Sequence, residues 1–152
     1  METRYETFTI LMTRILRMIK HLKTEEMAAY NLKGIHVTCL HYLYRFSPLT
    51  AAELCERCDE DKSAVSRALN YLEENGFLFC EPGSSRKYKS TIILTDQGMA
   101  AGKLISEKIN TLVEEASHDL PEEDRTVLYR ALQTISDNLE NISRREETGK
   151  EK

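Results

Sequence analysis

The chain has no tryptophan, only 3 prolines and only 6 glycines among 152 residues. Collagen-like, low-complexity and glycine-rich linker architectures are thereby excluded. No apolar run approaches the roughly 20 residues that a membrane-crossing helix needs, so no membrane partner is expected. Met1 to Arg14 lacks the basic-then-apolar order of a secretory leader, which points to the cytoplasm. The 4 cysteines (Cys39, Cys55, Cys58 and Cys80) are too few for a disulfide scaffold at this length and are expected to be reduced. Basic charge is also in short supply: 21 Lys+Arg stand against 25 Asp+Glu, a net charge of −4. A chain coated in basic residues for nucleic acid is excluded. A local basic surface is not, and the distribution of charge must decide.

Catalytic signatures are missing as well. There is no glycine-rich phosphate loop, no nucleophile elbow and no His-x-x-x-His pair. The carboxylates are scattered over amphipathic segments, where a salt-bridged surface is the default. The chain is therefore not expected to be an enzyme or to need a cofactor. Cys55-x-x-Cys58 lacks the second ligand pair that tetrahedral zinc requires. His36 and Cys39 lie one turn apart while His41 is rotated away, so no metal site is expected. A metal- or thiol-responsive protein using Cys55 and Cys58 stays open as an alternative.

What is present is helical periodicity. Over residues 4–23, Phe8, Leu11, Met12, Ile15, Met18, Ile19 and Leu22 recur every three or four residues, which predicts a helix with one apolar stripe. A second helix is expected from about Leu32 to Arg45, stopped by Ser47-Pro48. Thr50-Ala51-Ala52-Glu53 is a capping box that starts a short helix ending near Arg57. Asp61 can cap the next helix, 61–75, which stops at Gly76. Phe77–Glu81 and Lys87–Leu94 read as two strands around the turn residues Pro82-Gly83-Ser84-Ser85. Thr95 caps a long helix from Asp96 to about Ala116. Pro121 opens a last helix running to about Arg144, with Leu128, Leu132, Ile135, Leu139 and Ile142 in a heptad seam. Residues 146–152 are expected to fray.

The expected fold is mainly α with a small β-hairpin wing. It is a single domain over 1–152, with a winged helix-turn-helix at about 31–95 and long flanking helices at 4–23 and 96–145. Helix 61–75 turns Val65, Ala68, Leu69 and Leu72 one way and Ser63, Ser66, Arg67 and Asn70 the other. Arginine pairs with guanine edges, asparagine with adenine, and serine with base or phosphate. The short capped helix before it favours DNA over a merely solvated face, because such a pair seats the second helix in a major groove. The wing over 79–93 adds Arg86, Lys87 and Lys89 with no acid between Ser84 and Thr91, and Lys62 adds charge at the start of the helix. Glu53, Glu56, Asp59, Glu60 and Asp61 count against this reading unless they face away from DNA.

The runs Leu32 to Leu40, Leu49-Thr50-Ala51-Ala52-Glu53-Leu54, Ser63 to Leu69, Leu72-Glu73-Glu74-Asn75-Gly76-Phe77-Leu78 and Leu94-Thr95-Asp96-Gln97-Gly98 resemble the MarR family of bacterial transcriptional regulators. The resemblance spans roughly residues 5–145. It implies a homodimer on pseudo-palindromic double-stranded operator DNA, acting as a repressor that a ligand releases. The dimer would form through the N-terminal helix (Phe8, Leu11, Ile15) and the last helices (Leu128, Leu132, Ile135, Leu139). It also implies an effector pocket, here near His36, Tyr42 and Tyr44, for a small aromatic molecule. The family's Asp-x-Arg wing element is absent, since Ser85-Arg86-Lys87-Tyr88-Lys89 occupies that place. A winged-helix adaptor for protein–protein contact, favoured by the acidic net charge, is the competing reading.

Overall fold

A computed structural model describes residues 4–58, 60–81 and 89–149 of the chain, with side chains described from Thr7 onward. They form two compact units, residues 1–112 and 113–152.

The first unit opens with α1 (Arg4–Met27), which continues into a 3-10 turn at Ala28–Tyr30. The helix runs four residues past the end expected at 23, because Thr24, Glu25 and Glu26 contain no breaker and Met27 is buried in the core. The turn closes on Asn31, which takes the left-handed conformation at φ 58°. α2 spans Gly34–Phe46. Its start is fixed by His36, whose Nδ1 accepts the Lys33 backbone N–H at 3.0 Å. The sequence reading began this helix two residues early, because a histidine serving as the cap partner is not a standard signal.

β1 (Leu49–Thr50) leads directly into α3 (Ala51–Cys58). The expected capping box is formed: Glu53 Oε2 accepts the Thr50 N–H at 2.7 Å, and Thr50 Oγ1 accepts the Glu53 N–H at 3.3 Å. α4 spans Lys62–Glu74, and Asp61 Oδ1 caps it by accepting the Ala64 N–H at 2.8 Å. Gly76 follows at φ 79°, the left-handed stop that an L side chain would strain.

β2 (Leu78–Cys80) and β3 (Thr91–Leu94) are shorter than the strands expected from sequence, and residues 82–88, which include the expected turn Pro82–Ser85, lie outside the described residues. The sheet has the antiparallel order β1-β3-β2, with Leu49 opposite Ile92 and Phe79 opposite Ile93. β1 was not expected, since two residues carry no readable alternation. It ties the entrance of α3 to the wing.

α5 covers Asp96–Ala116 and starts in the first unit. Thr95 Oγ1 accepts the Gly98 N–H at 3.1 Å and donates to the Gly76 carbonyl at 2.6 Å, so one hydroxyl joins the start of α5 to the end of α4. The core of this unit is Val37, Leu40 and Leu43 of α2, Leu54 of α3, Val65 and Leu72 of α4, Ile92 of β3 and Ile105 of α5. Each side chain of this size contributes about 1.5–3 kcal/mol when taken from water.

In the second unit, α6 runs from Glu122 to Gly149. It overruns the expected end near Arg144 and takes in residues 146–149, which had been read as frayed. Arg144 pairs with Glu140 one turn back, Thr148 Oγ1 donates to the Arg144 carbonyl, and no breaker occurs before Gly149.

Candidate nucleic-acid interface

α4 is amphipathic because its apolar residues recur at helical spacing. Val65, Ala68, Leu69 and Leu72 are buried against the core, and Lys62, Ser63, Ser66, Arg67 and Asn70 are all exposed. The five polar residues expected to read DNA thus share the outer face of one helix. α3 and the Asp61 cap set the entry of that helix, and the stacked rings of His36 and Tyr71 brace it from α2, with centroids 4.2 Å apart. Tyr71 also donates its hydroxyl to the Asn31 carbonyl at 2.8 Å.

Two grooves flank this face. One, of about 240 Å³, is lined by Lys62, Ser66, Asn70 and Glu73 of α4 with Ala51 and Cys55 of α3 and Cys80 of β2. The other, of about 350 Å³, runs between α2 and α4 and includes Lys33, His36, Arg67 and Tyr71. Lys33 was not singled out from sequence. It lies just before α2, and only the fold brings it beside Arg67.

Lys89 is exposed at the return of the wing. Arg86 and Lys87 lie outside the described residues. Among the acids that weighed against DNA, Glu53 and Asp61 are used as helix caps and Glu60 accepts Lys20 Nζ at 3.4 Å. The Thr50 backbone N–H and hydroxyl hold Glu53 below the usual carboxylate range. Asp59 is outside the described residues, and Glu56 is exposed.

The three residues expected near an effector pocket part company. His36 is buried against Tyr71 of α4. Tyr42 stacks on Phe46 in its own helix at 5.9 Å. Tyr44 packs so closely on Gly102 of α5 that a Cβ there would sit 2.6 Å from the Tyr44 Cβ. They project from α2 in different directions and do not form one cluster. Burial and the Lys33 charge lower the His36 pKa, which favours the neutral ring that caps α2. His41, one turn beyond Val37, has its Nδ1 shut from solvent without a hydrogen-bond partner among the described residues.

The Cys55-x-x-Cys58 pair also divides. Cys55 lines the groove beside α4, whereas Cys58 is buried in the core, as is Cys39. No group of three or more His, Cys, Asp or Glu suited to a metal occurs among the described residues. No helix there is long and apolar enough to cross a membrane.

The residues expected at a dimer seam lie open to solvent in the single chain. In the first unit Leu11 and Ile15 are exposed and Phe8 is half-buried. In the second, α6 buries no residue at all: Leu128, Ile135 and Leu139 are exposed and Leu132 is partly so.

A short capped helix, a turn, an amphipathic helix with a polar outer face and a two-stranded return define a winged helix-turn-helix protein. Residues 30–85 match the sequence model described as the MarR family. An uncharacterized HTH-type transcriptional regulator of Bacillus cereus is 26% identical over 128 residues, covering 84% of this chain and 85% of its own length. The fold is shared with a Staphylococcus aureus MarR protein solved with salicylate and kanamycin, at a TM-score of 0.79 and 17% identity, over 91% of this chain and 93% of the other. It is shared too with a MarR-family chain from Listeria monocytogenes solved with a 26mer DNA, at a TM-score of 0.76 and 19% identity, over 91% of this chain and 90% of the other.

Proposed function

We propose that this chain is a homodimeric, sequence-specific transcriptional repressor of the bacterial cytoplasm that binds pseudo-palindromic operator DNA. The observation that carries the reading is the division of α4 into a buried face of four apolar residues and an outer face bearing Lys62, Ser63, Ser66, Arg67 and Asn70. In the major groove Arg67 and Asn70 read base edges, Ser63 and Ser66 contact base or phosphate, and Lys62 binds backbone. Lys89, with Arg86 and Lys87, places the wing on backbone or minor groove. The DNA complex of the Listeria chain with the same fold supports this reading.

Two copies joined through the apolar stripes of α1 and of α6 would carry two reading helices to successive turns of the duplex. The exposed Leu11, Ile15, Leu128, Ile135 and Leu139 support that pairing, since side chains of this kind are seldom left in water in such number. Release by a small aromatic effector is supported by the salicylate in the S. aureus protein.

Selection of bound fragments from a random DNA pool tests the proposal, and a two-fold symmetric consensus is the expected result. An adaptor for other proteins would enrich no sequence, and its weak DNA affinity would lack the steep loss with salt that phosphate neutralisation produces.

A further inference from the structure

The end of the reading helix α4 and the start of α5 meet at a joint of a few atoms. The backbone N–H of Thr95, the residue before α5, donates to the Phe77 carbonyl at 3.1 Å. The Thr95 hydroxyl donates to the Gly76 carbonyl at 2.6 Å and accepts the Gly98 N–H at 3.1 Å. A hydroxyl has one proton and two lone pairs, so it makes both bonds at once. The accepted bond caps α5. The donated bond does something separate: it satisfies a carbonyl just past the end of α4, nineteen residues away in the chain. Gly98 completes the joint, because a Cβ there would collide with the Phe77 carbonyl oxygen. Along the chain the two sides are connected only through the wing strands β2 and β3, whereas the joint ties them directly.

We propose that Thr95 is a positioning residue for DNA recognition. Its bond to Gly76 locks the end of α4 to the start of α5 and so fixes the half-site spacing that the dimer accepts. This rests on the dimeric DNA-binding reading. α5 leads along the chain into α6, on which the second copy packs in that reading, so the joint is one of the ties between each reading helix and the dimer. One extra base pair between half-sites shifts the second by about 3.4 Å and about a tenth of a turn. A locked joint keeps α4 from following that shift. A joint without the Gly76 bond lets the end of α4 swing and recover part of the contact.

The test separates the two bonds of the one hydroxyl. Thr95→Asp keeps an acceptor for the Gly98 N–H, since aspartate caps helices at least as well as threonine, but it has no proton to donate to Gly76. Thr95→Ser keeps both bonds. A residue that served only as the cap of α5 would tolerate both changes. The first measurement is hydrogen exchange in the full chain without DNA. The Gly76 and Phe77 amides, which bond back to Glu73 and Leu72, should exchange about three- to tenfold faster in Thr95→Asp and at the parent rate in Thr95→Ser. The Gly98 and Met99 amides should exchange alike in all three proteins. The second measurement is fluorescence anisotropy on the selected two-fold operator, with and without one base pair inserted between its half-sites. The insertion should weaken the parent and Thr95→Ser at least about tenfold, and Thr95→Asp no more than about threefold. Taking the ratio between the two spacings removes the general repulsion between the added carboxylate and phosphate. Should Thr95→Asp fold poorly, the spacing ratio of Thr95→Ala decides. Unchanged exchange at Gly76 and Phe77 in Thr95→Asp would overturn the joint. Equal spacing penalties in parent and variant, or a parent indifferent to spacing, would overturn its role in recognition. A parent that selects no symmetric DNA would instead remove the dimeric DNA-binding reading, and the positioning role with it, while the exchange result still decides the joint.

Discussion

The rings of His36 and Tyr71 lie parallel to within 1°, with centroids 4.2 Å apart, and so join the first turn of α2 to the last turn of α4. His36 is fixed by the Lys33 N–H it accepts, and Tyr71 by the carbonyl of Asn31 to which it donates. Two variants separate these roles. Tyr71→Phe keeps the stack and loses one hydrogen bond, so unfolding stability should fall by about 1 kcal/mol. Tyr71→Ala also loses the half-buried ring and should cost about 1.5–3 kcal/mol. Equal losses in denaturant titrations of the two variants would show that the stack contributes nothing.

Arg67 is exposed on the outer face of α4 and lines the groove shared with Lys33. Arg67→Ala should weaken binding to the selected operator by about 1–3 kcal/mol and relax preference at one base position, with the helical circular dichroism unchanged. Lys33→Ala should weaken binding to all sequences alike, reducing the salt slope by about one. Fluorescence anisotropy across salt and operator variants distinguishes the two. An Arg67→Ala protein with unaltered affinity and base preference would move the reading face elsewhere.

The legibility of the fold follows from where its information lies. Repeated spacing, as in Val65, Ala68, Leu69 and Leu72, and local caps, as at Thr50, Asp61, Thr95 and Gly76, depend on neighbours within a few residues, and sequence displays them directly. β1 at Leu49–Thr50 exists only because Thr91 and Ile92 lie beside it, some forty residues away. The same holds for the site. The outer face of α4 was readable from helical geometry, but the approach of Lys33 to Arg67 and the His36–Tyr71 stack are products of tertiary packing. The family resemblance places an effector pocket near His36, Tyr42 and Tyr44, which are close in sequence. Helical rotation sends them to separate neighbours.

Gly98 in the first turn of α5 leaves no room for a side chain. A Cβ placed there would lie 1.9 Å from the Phe77 carbonyl oxygen, a backbone atom that cannot swing aside. Glycine to alanine within a helix ordinarily stabilises by about 1 kcal/mol. Here the sign should reverse, with Gly98→Ala losing at least about 2 kcal/mol, because α5 must move away from the strand entrance and the Thr95 cap it shares with α4. Thermal melts of Gly98→Ala and of Ala100→Gly, at an exposed position of the same helix, give the comparison. An alanine variant as stable as the parent would mean that α5 tolerates displacement from β2.

Ile135 and Leu139 stand 36% and 57% exposed on α6, which buries none of its residues within the single chain. If a second copy covers them, replacing both with glutamate places two charges per chain in an apolar seam, and sedimentation should show monomer in place of dimer. Affinity for a full two-fold operator should then fall much further than affinity for one half-site, since the second contact is no longer tethered to the first. A double variant that still sediments as a dimer would place the seam elsewhere.

His41 provides a pH test with a definite sign. Burial, reinforced by the positive charges of Lys23 and Arg45, pushes its pKa down from 6.5 to about 4. The unfolded chain therefore takes up this proton at higher pH than the folded one. Stability is fully present above 6.5, declines as pH falls below it, and stops declining from this source near 4, where the folded ring protonates too. His36, also lowered by burial, acts in the same direction. His41→Gln removes the proton site while keeping a polar side chain of similar reach, so its melting temperature should fall less steeply through that window than the parent's. The carboxylates titrate in both proteins, which makes the difference between the two slopes the informative quantity. Identical slopes would mean that His41 gains its proton without cost, and hence that its ring is open to water in solution.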